Sequence, residues 1–350
     1  MDTQSISALQ GKVWLRELFA DVPSILFMDK FMGSGPNNPI QTISDLTKGP
    51  GDNIEVPLTV KLSGAGVSGD SELEGNEEEI ISYDFNPSIN QLRHAVRLKG
   101  RMDEKKVAYN MRADAKEKLK LWWAERIDRE ILSKLCGDTA GTLTSSSLHA
   151  NTPTAPAGAT RMVFAGGAAN EGALTAGMVM DTKVLDKAKQ LAKVTSAGIP
   201  RVRPIRLEDG AYKGTDVYIA ILHSYQIADL RKDPVWAQVQ RDANIRGDGN
   251  PLISGAHGMY NGIVVYESDL VYTGTDGNGS TPNARGLLLG QQAGVWLEGK
   301  ESDWVEKSFD YGNKWGIAAG RIFGVQKTKF NSVDYGLVTL HTAATAAVTS

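Results

Sequence analysis

The sequence predicts an α+β protein. Three observations lead there: a long helical stretch free of Pro and Gly leading up to residue 137, a strictly alternating strand at 54–62, and helix and strand patterns that take turns across 181–300 before a run of late strands.

Composition narrows the classes. The 350 residues are 41% apolar and 23% charged, which provides a sizeable core, and the length favours two domains. A net charge of −3 sets up no strong field toward nucleic acid or anionic lipid. Cys136 is the single cysteine, which excludes an intrachain disulfide and a cysteine-based metal cluster and suits a reducing cytoplasm. The opening MDTQSISALQ has no basic region ahead of an apolar run, so no signal peptide is expected. No apolar run approaches the ~18 residues of a membrane helix.

Residues 1–50 are weakly patterned. A short helix at 13–19 and an apolar cluster of Ile25, Leu26, Phe27 and Phe31 precede the turn-rich GSGPNNP at 33–39. Such a segment buries little alone, and its cluster makes it an arm that packs on another surface. At 54–62, Ile54, Val56, Leu58, Val60 and Leu62 face one way, while Glu55, Pro57, Thr59, Lys61 and Ser63 face the other. Pro57 points to an edge strand. After a loop rich in Gly and acids, Ile81, Tyr83 and Phe85 alternate again, and Leu92, Val96 and Leu98 continue the pattern. Residues 51–100 therefore read as a long two-stranded ribbon. An isolated ribbon is marginal in water, so a neighbouring subunit or distant parts of the same chain must cover it. Residues 70–84 hold seven carboxylates and no base, whereas 93–106 hold six bases and two acids. This is either a solvated acidic tip or charge complementarity between copies, which fixes register.

Residues 103–137 read as one helix, a rod of roughly 50 Å at ~1.5 Å per residue. Asp103 can cap it, Glu104 suits its first turn and Gly137 its end. Asp114 with Lys118, Glu125 with Arg129 and Glu130 with Lys134 are spaced as helical ion pairs. Val107, Met111, Ala115, Leu119 and Trp122 share one side; Ala124, Ile131, Leu132 and Leu135 share nearly the opposite one, with Trp123 between. The rod is either a core helix between two sheets or a spine joining two lobes.

Residues 138–180 lack periodicity and read as a surface excursion with one short strand at 161–164. A helix follows at 181–194, with Leu185, Ala188, Leu191 and Ala192 inward, ended by Gly198 and Pro200. The apolar run 217–222 is a buried central strand. Ser224 caps a short helix, and Asp233-Pro234 opens another. Strands are expected at 262–272, 286–297, 304–309 and 316–330, with a last one near 335–341, the final strands returning to the lobe that holds the rod.

No motif assembles an active site. Gly64, Gly66 and Gly69 spell G-x-G-x-x-G after a strand, but a dinucleotide site needs a helix to open there, and DSELEGNEEE follows with carboxylates where phosphate would sit. The five histidines stand far apart, and His94 fits a packed strand position. Asp276-Gly-Asn278-Gly-Ser280 begins like a calcium loop, yet Leu287 takes the place of its closing Glu, so it reads as a turn. Arg246-Gly247-Asp248 is a chance tripeptide, and Trp122 with Trp123 reads as core. No catalytic, cofactor or metal residues are expected.

The order of parts, and the text LRHAVRLKGRMDEKKVAYNMRADAKEKLKLWWAERIDREILSKLCGD at 92–138, resembles the major capsid proteins of tailed double-stranded-DNA phages. These have the Hong Kong 97 type shell fold, and the text looks like the phage N-four-like branch: R-H-A-V ends a strand, Gly100-Arg-Met-Asp-Glu leads into a helix with a Trp near its middle, and Leu135 and Gly137 close it. The resemblance implies an N-terminal arm at 1–50 and an extended loop at 51–100. It implies a peripheral domain at 101–180 and 316–350 containing the spine helix 103–137, and an axial domain at 181–315. Some members crosslink Lys to Asn from a lysine on the extended loop; this chain has no lysine between Ser63 and Leu92. A separate scaffolding protein is expected, with a portal and decoration proteins as further partners.

The function expected is therefore structural. Copies would form hexamers and pentamers of an icosahedral virion shell, assembled in host cytoplasm around DNA that is not bound sequence-specifically, and without a membrane. Val56, Val60, Glu77, Glu78, Glu79, Tyr83, Arg93, Arg97, Phe27 and Phe31 are the candidate subunit-interface residues. A nanocompartment shell of the same fold is the alternative, separated by whether purified particles contain DNA. A dinucleotide-binding enzyme using Gly64, Gly66 and Gly69 is the remote one.

Overall fold

The computed structural model describes residues 26–47, 51–62, 64–70, 72–106, 110–145, 147–195, 198–207, 214–244 and 256–344. The Arg246-Gly247-Asp248 tripeptide and Val107 lie outside them. The described chain opens with a 3-10 turn at Met28–Phe31, β1 (Met32–Gly33) and β2 (Ile40–Ile43). The apolar arm packs on its own chain. Asp128 accepts hydrogen bonds from the backbone N–H groups of Phe27 (2.8 Å) and Met28 (3.0 Å), and Phe31 is 3% exposed and sits edge-on to Tyr266.

β3 (Val56–Thr59) and β4 (Ser82–Phe85) form the expected ribbon, with Val56 opposite Phe85 and Leu58 opposite Tyr83. The ribbon is shorter than 51–100. β5 (Asn90–Arg97) leaves it for another sheet. Pro87 has no N–H and breaks the ladder, which resumes only as the Asn53–Ser88 bridge and the Ile89 N–H bond to the Asp52 carbonyl (2.9 Å). Asn151 then holds Ser88, accepting from its N–H (2.8 Å) and donating to its carbonyl (2.9 Å), which turns the chain.

The expected single rod is two helices, α1 (Arg101–Lys106) and α2 (Met111–Cys136). Asn110 has an extended backbone, and its side chain accepts from the N–H groups of Arg112 (3.1 Å) and Ala113 (3.3 Å). Asn110, not Asp103, is therefore the cap of the long helix, because an Asn side chain competes with helical continuation and restarts it instead. The 26 residues of α2 make a rod of about 39 Å. Ala115, Leu119, Trp123, Ile127, Ile131 and Leu135 form one buried stripe, and around the last turns Asp128, Glu130, Ser133 and Lys134 are buried too. The apolar side thus widens until the helix is enclosed, rather than jumping to an opposite face. Trp123 is core, while Trp122 stacks on His94 with centroids 4.0 Å apart.

Gly137 ends α2 as expected, at φ 70° and ψ 45°. A Cβ there would lie 2.6 Å from the Thr154 carbonyl oxygen. Gly137→Ala is expected to cost about 2 kcal/mol or more, from left-handed strain plus that clash, seen as a lower midpoint in guanidinium unfolding.

Residues 138–180 are not a surface excursion. Arg126 donates to the carbonyls of Thr144 and Ser147, buried Lys134 to that of Asn151, and His149 contacts the Phe323 carbonyl at 3.0 Å. Fully buried Arg161 donates to the carbonyls of Val194 (3.1 Å), Pro200 (2.8 Å) and Asp334 (3.0 Å). Arg126 and Lys134 of α2 satisfy carbonyls of the segment from outside, and its own Arg161 ties it to other stretches, so it is ordered without periodicity.

The lobe that follows begins with β6 (Met162–Phe164) and α3 (Thr182–Ala192), capped by Asp181 and burying Val184, Leu185, Ala188 and Ala192. Then come β7 (Ile205–Arg206), the buried strand β8 (Asp216–Leu222), α4 (Ser224–Leu230) and α5 (Pro234–Asn244). His223, not Ser224, caps α4: its Nδ1 accepts from the Tyr225 N–H, and Gln226 accepts from the His223 N–H. The Asp233 carboxylate receives the Val235 N–H at the start of α5. β9 (Gly258–Tyr260), β10 (Ile263–Glu267), β11 (Thr273–Gly274) and β12 (Asn283–Leu289) continue the lobe. Asn278–Ser280 form a 3-10 turn, and Asp276 ahead of it accepts from the Tyr272 hydroxyl.

β13 (Gly294–Phe309) and β14 (Lys314–Lys327) make one long hairpin. The expected strand 286–297 is cut at Gly290, where a Cβ would collide with the Arg203 carbonyl. Strand 304–309 is the end of β13, whose pairing with β14 is irregular between Glu298 and Asp303. β15 (Lys329–Phe330), β16 (Val333–Asp334) and β17 (Leu337–Ala343) follow as the last elements among the described residues.

Two main sheets result. One runs β1-β2-β13-β14-β5, with α2 against it; the other runs β6-β17-β12-β8-β10-β9, with β11 on β12 and β7 on β8. Of the final strands β14 returns to the sheet on α2, as expected, whereas β17 joins the lobe sheet between β12 and β6, because its all-buried side chains need cover on both faces. The main core lies between α2 and the inner sides of both sheets; a second core lies between the lobe sheet and α3 to α5.

Candidate assembly surface

The ribbon has a covered base and an uncovered end. Ile54, Val56, Leu58 and Tyr83 pack half-buried against Phe85, Phe330, Val333 and Tyr335 of the same chain. Val60 is half-buried, and its N–H donates to the Ile81 carbonyl at 2.9 Å. Past that bond the cover stops. Leu62 is 54% exposed, Leu73 60%, Ile80 67% and Ile81 52%. These residues were missed as candidates because alternation alone placed Ile81 inward; the signal was two adjacent isoleucines directly after an acid run.

Glu77, Glu78 and Glu79 are exposed at this end. Glu77 accepts from the Gly75 N–H (2.7 Å) and Glu78 from the Gly64 N–H (2.5 Å), which folds the tip back on itself. Gly66 and Gly69 hold φ near 70°, but no helix follows among residues 72–80, so the N–H cradle that a pyrophosphate needs is missing. Arg93 and Arg97 lie on the exposed side of edge strand β5. Phe27 is half-buried and Phe31 buried within their own chain, so Phe31 offers no surface to a neighbour.

Behind this surface stand buried charges that fix the frame. Lys327 Nζ meets the Asp334 carboxylate at 2.9 Å, both side chains being 0% exposed. Glu130 lies between Arg126 and Lys134, at 2.5 and 3.6 Å, and burial pushes its carboxyl up and the Lys134 amine down. Burial lowers the His149 pKa to about 4. For Glu171 burial works upward, but hydrogen bonds from His341 and Arg285 outweigh it and hold its carboxyl at about 2. Among the described residues no group of three His, Cys, Asp or Glu side chains could hold a metal ion.

The sequence matches the Phage capsid protein family over residues 2–346. The chain belongs to that family. It is 28% identical to the major capsid protein of Pseudomonas phage KPP25, over 96% of this chain and 95% of that protein. Its structure is similar to the capsid of Ralstonia phage GP4, with a TM-score of 0.78 and 28% identity over 93% of this chain and 92% of that one. The capsid of cyanophage Pam1 shares the fold at a TM-score of 0.76 and 23% identity, covering 91% and 92% of the two chains. This phage capsid protein thus has the Hong Kong 97 type fold expected from 92–138, and it is a shell-forming virion component rather than an enzyme.

Proposed function

We propose that this capsid protein closes its shell by laying the far end of each β3–β4 ribbon on a neighbouring copy within hexamers and pentamers. The observation that supports this is the apolar end of the ribbon, Leu62, Leu73, Ile80 and Ile81, which the chain's own core leaves open. Four such side chains in water are unfavourable, and covering one fully is worth about 1.5–3 kcal/mol. Val56 and Tyr83 then act at the ribbon root, as support; Val60 marks where the neighbour takes over.

In this reading 1–50 is the N-terminal arm and the ribbon is the extended loop. The strand pairing moves the expected boundaries: α2 with the five-stranded sheet, which takes in β5 and β13, forms the peripheral domain, and the lobe sheet, which takes in β6 and β17, forms the axial domain with α3 to α5. Assembly takes place in host cytoplasm with a separate scaffolding protein, a portal and decoration proteins as partners. The net charge of −3 suits a wall that holds DNA without gripping it.

The test is Ile80→Asp with Ile81→Asp. Soluble protein with a native far-ultraviolet spectrum and about tenfold fewer particles in gradient sedimentation is expected, since two buried carboxylates cannot be matched there. Normal particle yield from this variant would refute the proposal.

A further inference from the structure

The short helix α4 is held at both ends by a histidine lone pair. At its start, His223 Nδ1 accepts the Tyr225 N–H at 3.2 Å. At its end, an Arg231 Nη2 lies 2.8 Å from His257 Nδ1. A guanidinium can only donate, so this ring nitrogen accepts as well. The other side of His257 is fixed by the Glu267 carboxylate, which meets Nε2. A proton on either Nδ1 turns an acceptor into a donor and sets it against the donor it now holds.

The helix has little else to keep it in place. Its seven residues are too few to persist alone. Gln226 accepts the His223 N–H and donates to Thr342 (2.8 Å) and the Ala284 carbonyl (3.4 Å), so the start of α4 is tied to β17 and β12 through the same cap. Ile227 and Leu230 are buried beneath it.

The charges around the two rings decide the effect of acid. Tyr225 lies across His223 with centroids 4.5 Å apart. Asp269 and Glu267 favour a charged His223, but burial outweighs them and holds its pKa below 6.5. The helix N-terminus adds to the case against a cation there. At His257, Glu267 favours the proton and Arg231 opposes it. The remaining charges nearby are engaged elsewhere: Asp229 with Lys232 at 2.7 Å, Asp233 with Thr182, and Arg285 and His341 of β12 and β17 with Glu171.

We infer that α4 is an acid-sensitive clasp: protons on His223 and His257 take the lone pairs that hold its two ends, and the helix opens from the lobe sheet while the rest of the protein stays folded. The sign follows from His223. The open form takes the proton first, so the clasp is complete above pH 6.5 and weakens as pH falls below it. Opening bares Ile227 and Leu230, which gives the lobe an apolar surface in acid that it lacks at neutral pH.

Amide exchange in the full chain tests it, with β8 as the internal reference that cancels the intrinsic effect of pH and any global opening. Between pH 7 and pH 5, protection of α4 is expected to fall about tenfold relative to β8, since pH 5 lies roughly 1.5 units below the ordinary histidine value. His223→Asn supplies a cap that does not titrate, so most of the fall is expected to vanish while protection at pH 7 stays within about threefold of wild type. His223→Asn/His257→Gln is expected to show no fall. Constant relative protection in wild type, or an undiminished fall in the double variant, overturns the inference. Nuclear magnetic resonance of the wild-type rings gives a reading free of substitutions. Titration of His223 and His257 is expected to track the loss of α4 protection, and both rings taking a proton while α4 stays closed overturns the inference as well.

Discussion

Lys327→Met is expected to lose about 3–5 kcal/mol of folding stability, because it strands the Asp334 carboxylate in a dry interior. The native pair is closely held. Lys327 Nζ reaches both Asp334 oxygens at 2.9 and 3.0 Å and the Ala155 carbonyl at 3.3 Å, and Asp334 also accepts the Ala157 N–H at 3.1 Å. Burial and pairing act against each other here, so the pair itself adds little relative to apolar filling. Lys327→Met with Asp334→Leu should therefore recover most of the loss, to within about 2 kcal/mol, the remainder being the hydrogen bonds to Ala155 and Ala157. Guanidinium unfolding of the two variants beside wild type measures the contrast. Equal loss in both would show that packing around 327 and 334, not the stranded charge, sets the cost.

Acid should weaken the protein in two successive windows. His149 is held neutral, its pKa lowered from 6.5 to about 4. The unfolded chain binds the extra proton first, so stability is complete above pH 6.5 and falls as pH drops toward about 4. Glu171 is held ionised, its pKa lowered from 4.5 to about 2. Its contribution is complete above pH 4.5 and is lost between there and about 2. Each shift corresponds to on the order of 3 kcal/mol at about 1.4 kcal/mol per pH unit. Thermal midpoints across pH 2 to 7 are expected to lose the upper slope in His149→Gln and the lower slope in Glu171→Gln. An unchanged upper slope in His149→Gln would assign it to another group.

The parts that were legible in the sequence are those with a local cause. Alternation at Val56 and Leu58 placed β3, Gly137 placed the end of α2, and the apolar run 217–222 gave β8 as a central strand. The text around Arg93 to Gly137 carried the family. What was not legible depends on partners remote in the chain. Asn110 interrupts the rod through a side chain that also suits a helix interior when read as one letter among many. The order within 138–180 comes from Arg126, Lys134 and Arg161, whose positions in the text show only charge. β17 looked like a returning strand because its destination is set by the sheet it completes, not by its own pattern. For the assembly surface, the acid and base runs were visible at once, whereas the bare isoleucines at 80 and 81 emerged only when the length of the ribbon was fixed.

Arg161 gives the fold a keystone. One guanidinium ties its own stretch to the chain at 194–200 and to the backbone of Asp334, three stretches far apart in sequence. None of them can open by itself without leaving a cation bare in the interior. Amide exchange at these stretches should accordingly share one rate and one opening energy, so that the protomer opens there as a single unit rather than strand by strand.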